Sequence, residues 1–516
     1  MRRYLLFTVF ASGMTTLAAE LAAGRLIGNV FGTSNLVWAA IIGLILIYLT
    51  LGYSLGGRWA DANPTPYAMY RVLAWGAFTL GVVPFVAGPV LRAAANAFDG
   101  LQLAVLGGAF AAVLILFIIP VTLLGTISPF AIRLSLDDPA HAGVTSGRIY
   151  AVSTLGSFIG TFLPVLVLIP TIGTTRTFLV FSLFLLFVAL AGMALNGQRK
   201  QAVIHLWMAL VLALLAALNT NQKLKNSEGQ VFETESAYNY IQVLQRDDYT
   251  LLRLNDGQGV HSIYNPNVLF YNGPWELFLV GPYFNPDTDP SDVHRIGIIG
   301  LAAGTAARQA TAIYGSIPID GWEIDPEIVK VGREYFAMTM PNLIVHIEDG
   351  RYGLSRSPEK FDILAVDAYR PPYIPPHMTT REFFEMAASR LTPRGVLVVN
   401  VGRAPGDRSL INGLATTLAT VFPSIHIVDI PGTLNSMVYA TMQPTASEDF
   451  FANLTRLAAD PSVHPLLSQT MYNAYANLQP GYETTLVFTD DRAPIEWLTN
   501  NLVINFILHG EVESLQ

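Results

Sequence analysis

From Tyr4 to Leu218 the chain repeats one pattern, in which a run of apolar residues meets a short polar break and gives way to another apolar run. A helix needs about 20 apolar residues to cross the hydrocarbon core of a bilayer, where its backbone hydrogen bonds must be satisfied internally. Runs of that length extend from Tyr4 to Gly24, Leu36 to Trp59, Ala68 to Ala93, Leu101 to Ile127, Thr145 to Ile169 and Thr175 to Leu195. Six spanning helices are expected. A seventh run, Ala202 to Leu218, is barely long enough and is expected to lie in the interface or to re-enter. Met1, Arg2 and Arg3 before an apolar run also have the form of a signal peptide, but the bundle that follows favours a retained first helix.

The pattern stops near Asn219, and residues 225 to 516 read as an ordinary soluble sequence. Thr220 to Gly229 is polar and helix-poor, which suits a linker. This uneven distribution accounts for 52% hydrophobic and 13% charged residues, far from a soluble average. Four segments are expected: a helical bundle over 1–219, a linker with a small β-domain over 220–290, a nucleoside-binding domain over 291–445, and an extension over 446–516. A net charge of -8 leaves no basic face to track phosphates, so nucleic acid is not an expected partner, whereas amines and other cations are compatible. With no cysteine, thiol catalysis, disulfides and Cys-based zinc sites are excluded, and no metal site is expected.

Arg2, Arg3, Arg58, Arg71, Arg133, Arg148, Arg199 and Lys200 fall in the loops of one face, which should be cytoplasmic. Six spans put the soluble half on that face, and seven put it on the other. The cytoplasmic side of an inner membrane is the expected location, since a nucleoside donor is made there. Glu20 lies within the first apolar run, where a carboxylate needs a partner or a polar cavity. Arg25 is its expected partner, and an amine-binding role on a path through the bundle is the alternative.

In the soluble half, Arg295 to Ile299 is a β-branched strand, followed by Gly300-Leu-Ala-Ala-Gly304 and a helix-like stretch from Thr305 to Tyr314. Glycines in such a turn allow backbone N–H groups to approach a ligand at a helix N-terminus, although the middle glycine of the dinucleotide fingerprint is absent. The next strand, Ile319 to Ile324, carries Glu323, an acid about twenty residues downstream that can take ribose hydroxyls. Further strands at Leu343 to Ile347, Phe361 to Val366 and Gly395 to Asn400 follow, with a helix from Thr380 to Leu391 before the last. Glu348, Asp349 and Gly350 end one, and Asp367 ends the next. In an open parallel sheet ligands bind at the carboxyl ends of strands, so Gly300, Glu323, Asp349 and Asp367 should meet in one crevice. A single acid after a strand is more often a helix N-cap; three in order point to a shared nucleoside site.

In this order of motifs the chain resembles the spermidine synthases, the polyamine aminopropyltransferases, over about residues 230 to 445, and their membrane-fused members over nearly its whole length. The resemblance runs through Glu235 to Ile241, Leu254 to Gly257, Glu276, the loop at Gly300, Glu323 to Asp325, Asp349 with Gly350, Asp367, and Met378 to Phe384. It implies a transmembrane bundle joined to a Rossmann-like, class I methyltransferase-like doubly wound α/β sheet preceded by a small β-domain. It also implies that Glu323 holds the ribose diol, Asp349 the adenine amino group and Ile324 one face of the base, with Gly300, Gly304, Gly350 and Asn239 completing the donor site. Asp367 would be the catalytic base, and Glu276, Tyr369 and Arg370 would contact the substrate. No cofactor would be permanently bound; decarboxylated S-adenosylmethionine or S-adenosylmethionine would be the co-substrate. A small amine or polyamine, the lipid bilayer and a second copy in a homodimer are the implied partners.

Two departures bear on the chemistry. The family's glycine loop carries an aspartate that pairs with the aminopropyl ammonium, where this chain has Ala303, and the second acid of its Asp-x-x-Asp is Arg370. Asn239 replaces a glutamine. Removing one partner of a buried ion pair costs about 3 to 5 kcal/mol, and an arginine at 370 would suit a donor that keeps its carboxylate. Methyl transfer from intact S-adenosylmethionine is therefore the second reading, and a polyamine transporter or sensor with a nucleoside-binding domain is the third. Thr489 to Trp497 is a charged segment like one that recurs in membrane-fused members; its Asp490, Asp491 and Glu496 could replace the missing acids.

Overall fold

The computed structural model describes residues 2–31, 35–99, 104–136, 138–218, 227–255, 259–368, 374–403, 406–499 and 501. The chain divides into two units, Met1–Ser227 with Glu235–Tyr240, and Glu228–Thr234 with Ile241–Gln516.

The first unit is helical: α1 (Arg2–Phe31), α2 (Asn35–Ala62), α3 (Pro66–Asp99), α4 (Ala104–Gly125), α5 (Ile127–Ser135), α6 (Ala142–Leu163), α7 (Ile169–Ile172), α8 (Thr174–Leu195), α9 (Arg199–Ile204) and α10 (Leu206–Leu218). Among the described residues seven runs are long and apolar enough to cross a membrane, α4–α5, α6–α7 and α9–α10 each counting as one. Helices in lipid associate by close packing of small residues, and α1 and α6 meet in this way. A Cβ added at Gly156 would lie 2.1 Å from the Phe10 carbonyl oxygen, and one at Gly160 would lie 2.1 Å from that of Met14.

The seventh run, expected to be interfacial or re-entrant, packs along α3. The Tyr67 hydroxyl donates to Gln201 Oε1 at 3.3 Å, Trp207 stacks edge-on with Trp75 and Phe78 at 6.0 and 5.1 Å, and Leu212 packs over Gly81. Contacts climb α3 as the residue number rises, so the run follows α3 in the same direction. Met208 and Leu212 are buried in the bundle core. The other end of this unit is marked by Glu235, whose Oε2 accepts from the Thr174 amide at 3.0 Å and hydroxyl at 2.8 Å, while Asn29 donates to Oε1. Arg25 donates to the carbonyl oxygens of Ser236 and Tyr238.

The second unit begins with a four-stranded sheet, β1 (Gln230–Glu235), β2 (Tyr240–Arg246), β3 (Tyr249–Leu254) and β4 (Val260–Tyr264), in that order. Asp256 and Gly257, part of the family resemblance, lie outside the described residues. A short α11 (Pro274–Leu277) leads to the main sheet: β5 (Ile296–Ile299), β6 (Ile319–Trp322), β7 (Leu343–His346), β8 (Phe361–Val366), β9 (Leu391–Gly402), β10 (Ser424–Asp429) and β11 (Asn435–Thr441). Its order is β10-β11-β9-β8-β5-β6-β7. The five strands from β9 to β7 are parallel, and β11 and β10 close one edge antiparallel. The helices are α12 (Thr305–Tyr314), α13 (Pro326–Tyr335), α14 (Gly350–Arg356), α15 (Arg381–Ser389), α16 (Ser409–Leu418), α17 (Ser447–Ala458) and α18 (Pro465–Ala476).

A parallel sheet is covered on both faces, so its strands are apolar throughout rather than alternating. Ile363, Val396 and Val398 face one buried cluster, and Leu364, Val366, Leu397 and Val399 face the other. Phe450, Leu467 and Met471 join the first cluster and Phe488 and Ile495 the second, so the residues after 446 complete this core.

Candidate nucleoside and amine site

The crevice is assembled at the carboxyl ends of β5, β6, β7, β8 and β9. The β5–α12 turn approaches Asp367 so closely that a Cβ at Gly300 would sit 2.5 Å from the Asp367 carbonyl carbon. Gly300 also has φ +84°, which a side chain would strain. Only glycine fits both conditions. Gly304, with φ +84°, caps α12 and packs on Met338.

The loop amides depart from the expectation of a backbone cradle open to ligand. Gly300 and Leu301 donate to the Trp322 carbonyl oxygen at 2.9 and 3.0 Å, and Gly304 donates to that of Leu301 at 3.0 Å. Ala302 donates to Glu323 Oε2 at 3.0 Å, and Ala303 donates to Ser262 Oγ at 3.0 Å. Every N–H from Gly300 to Gly304 is thus engaged within the protein. A loop that grips pyrophosphate directs such groups at the ligand; this one orients a carboxylate instead.

That carboxylate is Glu323. It is 7% exposed, its Oε1 accepts from the Asp325 amide at 3.0 Å, and it is not a helix cap. Burial pushes its carboxyl up to about 7, and the two backbone donors pull it back. Two anchored oxygens retain lone pairs for a bidentate contact with vicinal hydroxyls. Ile324, beside it, is 39% exposed and offers an apolar surface at the mouth.

Asp349 takes the helix-cap role of an acid after a strand. It caps α14, its Oδ1 accepting from the Tyr352 amide at 2.9 Å, while Oδ2 lies 3.2 Å from His377 Nε2. Gly350 follows it, packed against Ile299 so tightly that a Cβ would lie 2.3 Å from a methyl carbon.

Asp367 follows β8. Burial pushes its carboxyl up to about 7, opposed by one donor, the Asn400 side chain, whose Nδ2 donates to Oδ1 at 2.8 Å. Asn400 is 3% exposed, and its own Oδ1 is buried without a hydrogen-bond partner. The pair therefore presents a proton acceptor beside an unused buried acceptor, an arrangement suited to an N–H-bearing substrate.

Glu276 is 1% exposed, and both its oxygens serve the protein: Oε1 accepts from the Gly273 and Tyr271 amides at 2.9 and 3.3 Å, and Oε2 accepts from Gln309 Nε2 at 2.9 Å. It ties the loop before α11 to α12, which departs from the expected substrate contact. Asn239 groups with the helical unit, where its amide donates to Ser236 Oγ at 2.8 Å. Tyr369 and Arg370 lie outside the described residues. Ala303 is buried among Ile241, Val243, Leu252 and Ile328, so the position where the family has an aspartate faces apolar side chains. Asp490 is engaged by Arg351 and Thr380 rather than left open for an amine. Sequence reasoning missed Asn400, His377 and Ser262; only Asn400 left a signal, as the one polar side chain in the apolar run from Val396 to Val401.

Comparison with known proteins finds these likenesses. Residues 292–452 match the family described as Spermine/spermidine synthase domain. A probable polyamine aminopropyl transferase of Bifidobacterium longum is 31% identical over 280 residues, 52% of this chain and 61% of its own length. The polyamine aminopropyltransferase of Vibrio vulnificus is 28% identical over 255 residues, 46% of this chain and 79% of its own. The chain thus spans about three fifths of the length of the first of these relatives. A solved probable spermidine synthase from Corynebacterium glutamicum aligns with 51% of this chain and 98% of its own, at 19% identity and a TM-score of 0.39.

Proposed function

We propose that this chain, which carries a spermine/spermidine synthase domain over residues 292–452, is a membrane-anchored aminopropyltransferase. It would move an aminopropyl group from decarboxylated S-adenosylmethionine to an amine, giving a longer polyamine and methylthioadenosine. The observation that carries this reading is the Asp367–Asn400 pair set against Gly300 at the strand ends. A general base works best with a pKa near the operating pH, and Asp367 is pushed up to about 7. It accepts a proton from the attacking ammonium. The freed nitrogen lone pair then forms a bond to the aminopropyl carbon as the carbon–sulfur bond breaks, and the electron pair leaves with the neutral thioether. Glu323 and Asp349 hold the nucleoside by ribose and base, and Ile324 covers one face of the ring. In-line placement supplies much of the rate.

Incubating detergent-purified protein with decarboxylated S-adenosylmethionine and a panel of diamines tests the reading. Mass spectrometry should find an amine heavier by one aminopropyl group; no such product with any diamine counts against it. The burial of Ala303 favours a second reading, methyl transfer from intact S-adenosylmethionine, because the donor's ammonium loses its acid at that position.

The side of the membrane follows from counting spans. Seven crossings from a cytoplasmic N-terminus would put the synthase domain on the outer face, opposite Arg58, Arg71, Arg133 and Arg199, whereas six would leave it on the cytoplasmic face. The chain has no cysteine, so Tyr472→Cys, on an exposed side chain, reports one site. A membrane-impermeant maleimide should label it in intact cells or spheroplasts; labelling only after lysis would return the domain to the cytoplasm.

A further inference from the structure

The segment after α18 ends in a small charged network beside the base end of the crevice. Arg351, two residues after Asp349, forms a two-pronged pair with Asp490, Nη1 to Oδ1 at 2.7 Å and Nη2 to Oδ2 at 2.6 Å. The same Nη1 donates to the His377 carbonyl oxygen at 2.7 Å, and the His377 ring returns to Asp349 Oδ2 at 3.2 Å. Asp490 also accepts from the Thr380 hydroxyl at 2.7 Å, which caps α15, and its amide donates to Glu382 at 3.0 Å. A chain of contacts therefore runs from Asp490 through Arg351 and His377 to Asp349.

Energetics argue against a role in stability. The two side chains are 25% and 46% exposed, and ion pairs so open to water contribute under about 1 kcal/mol. A planar two-pronged arginine pair does, however, fix direction. We propose that Asp490 is a positioning residue for nucleoside recognition: through Arg351 and His377 it fixes the carboxylate of Asp349 at the angle that takes the amino group of the base. Asp490 does not touch ligand. The inference rests on the reading of Asp349 as the residue that takes the adenine amino group.

The test compares two nucleosides on full-length protein in detergent by calorimetry: methylthioadenosine, whose amino group donates to a carboxylate, and its inosine counterpart, whose carbonyl oxygen repels one. Wild type should favour the adenine nucleoside. Asp490→Ala and, by an independent route, Arg351→Met should each narrow that preference about tenfold, the scale of one charge-assisted hydrogen bond, with melting temperatures close to wild type. A residue that served only structure would lower both affinities together and leave their ratio unchanged. If wild type discriminates and both variants keep the ratio, the positioning role is overturned alone. If wild type binds neither nucleoside, the nucleoside reading falls and this inference with it.

Discussion

The two units differ in where their polar side chains are put to use. In the helical unit the hydroxyls of Thr8, Thr16, Thr50, Thr79 and Thr177 each donate to the carbonyl oxygen four residues earlier on their own helix. This disposes of a donor in lipid without a partner elsewhere. In the second unit Thr416, Thr417 and Thr470 bond in the same way, and other polar groups reach across the fold at the strand ends: Glu323 to Ala302, Asn400 to Asp367, Ala303 to Ser262. Two of these carboxyls are pushed up to about 7. The second unit gathers these two raised carboxyls at one sheet edge, and clustered perturbed groups are candidates for function.

Substitutions at that edge sharpen the contrast, and the largest effect is expected at Asp367. Asp367→Asn keeps the shape and removes the proton acceptor, so turnover should fall about a hundredfold to ten-thousandfold while methylthioadenosine still binds through Glu323 and Asp349. Normal turnover in steady-state assays would exclude Asp367 as the base. Next comes Glu323→Gln, where an amide only partly replaces a carboxylate taking two hydroxyls. Calorimetric affinity for methylthioadenosine should weaken by about 1.5 to 3 kcal/mol, and an unchanged value would remove Glu323 from the site.

The smallest effect is on stability and has a definite sign. The Glu323 carboxyl titrates at about 7 in the folded protein against an ordinary 4.5. Below about pH 4.5 both states hold the proton. Between there and pH 7 the folded state keeps a proton that the unfolded chain releases, so stability declines as pH rises and then levels off. Glu323→Gln removes this penalty and should gain about 1 to 3 kcal/mol on wild type between pH 4.5 and pH 8. Denaturant melts at the two values measure it. A wild type and variant with parallel pH dependence would place the carboxyl in ordinary solvent. A conservative helical change such as Leu210→Ile, on an exposed side chain, should leave the pH dependence unaltered.

Much of this was legible in the chain itself, because a glycine turn and acids at strand ends are local signals. The helix Thr305–Tyr314 and the strand Phe361–Val366 have the bounds their patterns predict, and the other strands of the parallel sheet begin or end within a few residues. What sequence could not supply was long-range. Asp490 meets Arg351 across 139 positions, and Asn400 serves Asp367 from a neighbouring strand. Glu276 looked like a substrate acid but is consumed by Gln309 and two backbone amides. The run from Ala202 to Leu218 reads as marginal by length, and its packing on α3 through Trp207 and Leu212 is a tertiary fact.

The central claim, that this crevice runs amine alkylation on a decarboxylated nucleoside donor, is tested most directly by the nucleoside it releases. Purified protein given equal amounts of decarboxylated and intact S-adenosylmethionine, together with the diamine panel, should release methylthioadenosine and leave the intact donor untouched. Release of S-adenosylhomocysteine instead, or of no nucleoside at all, would contradict the account.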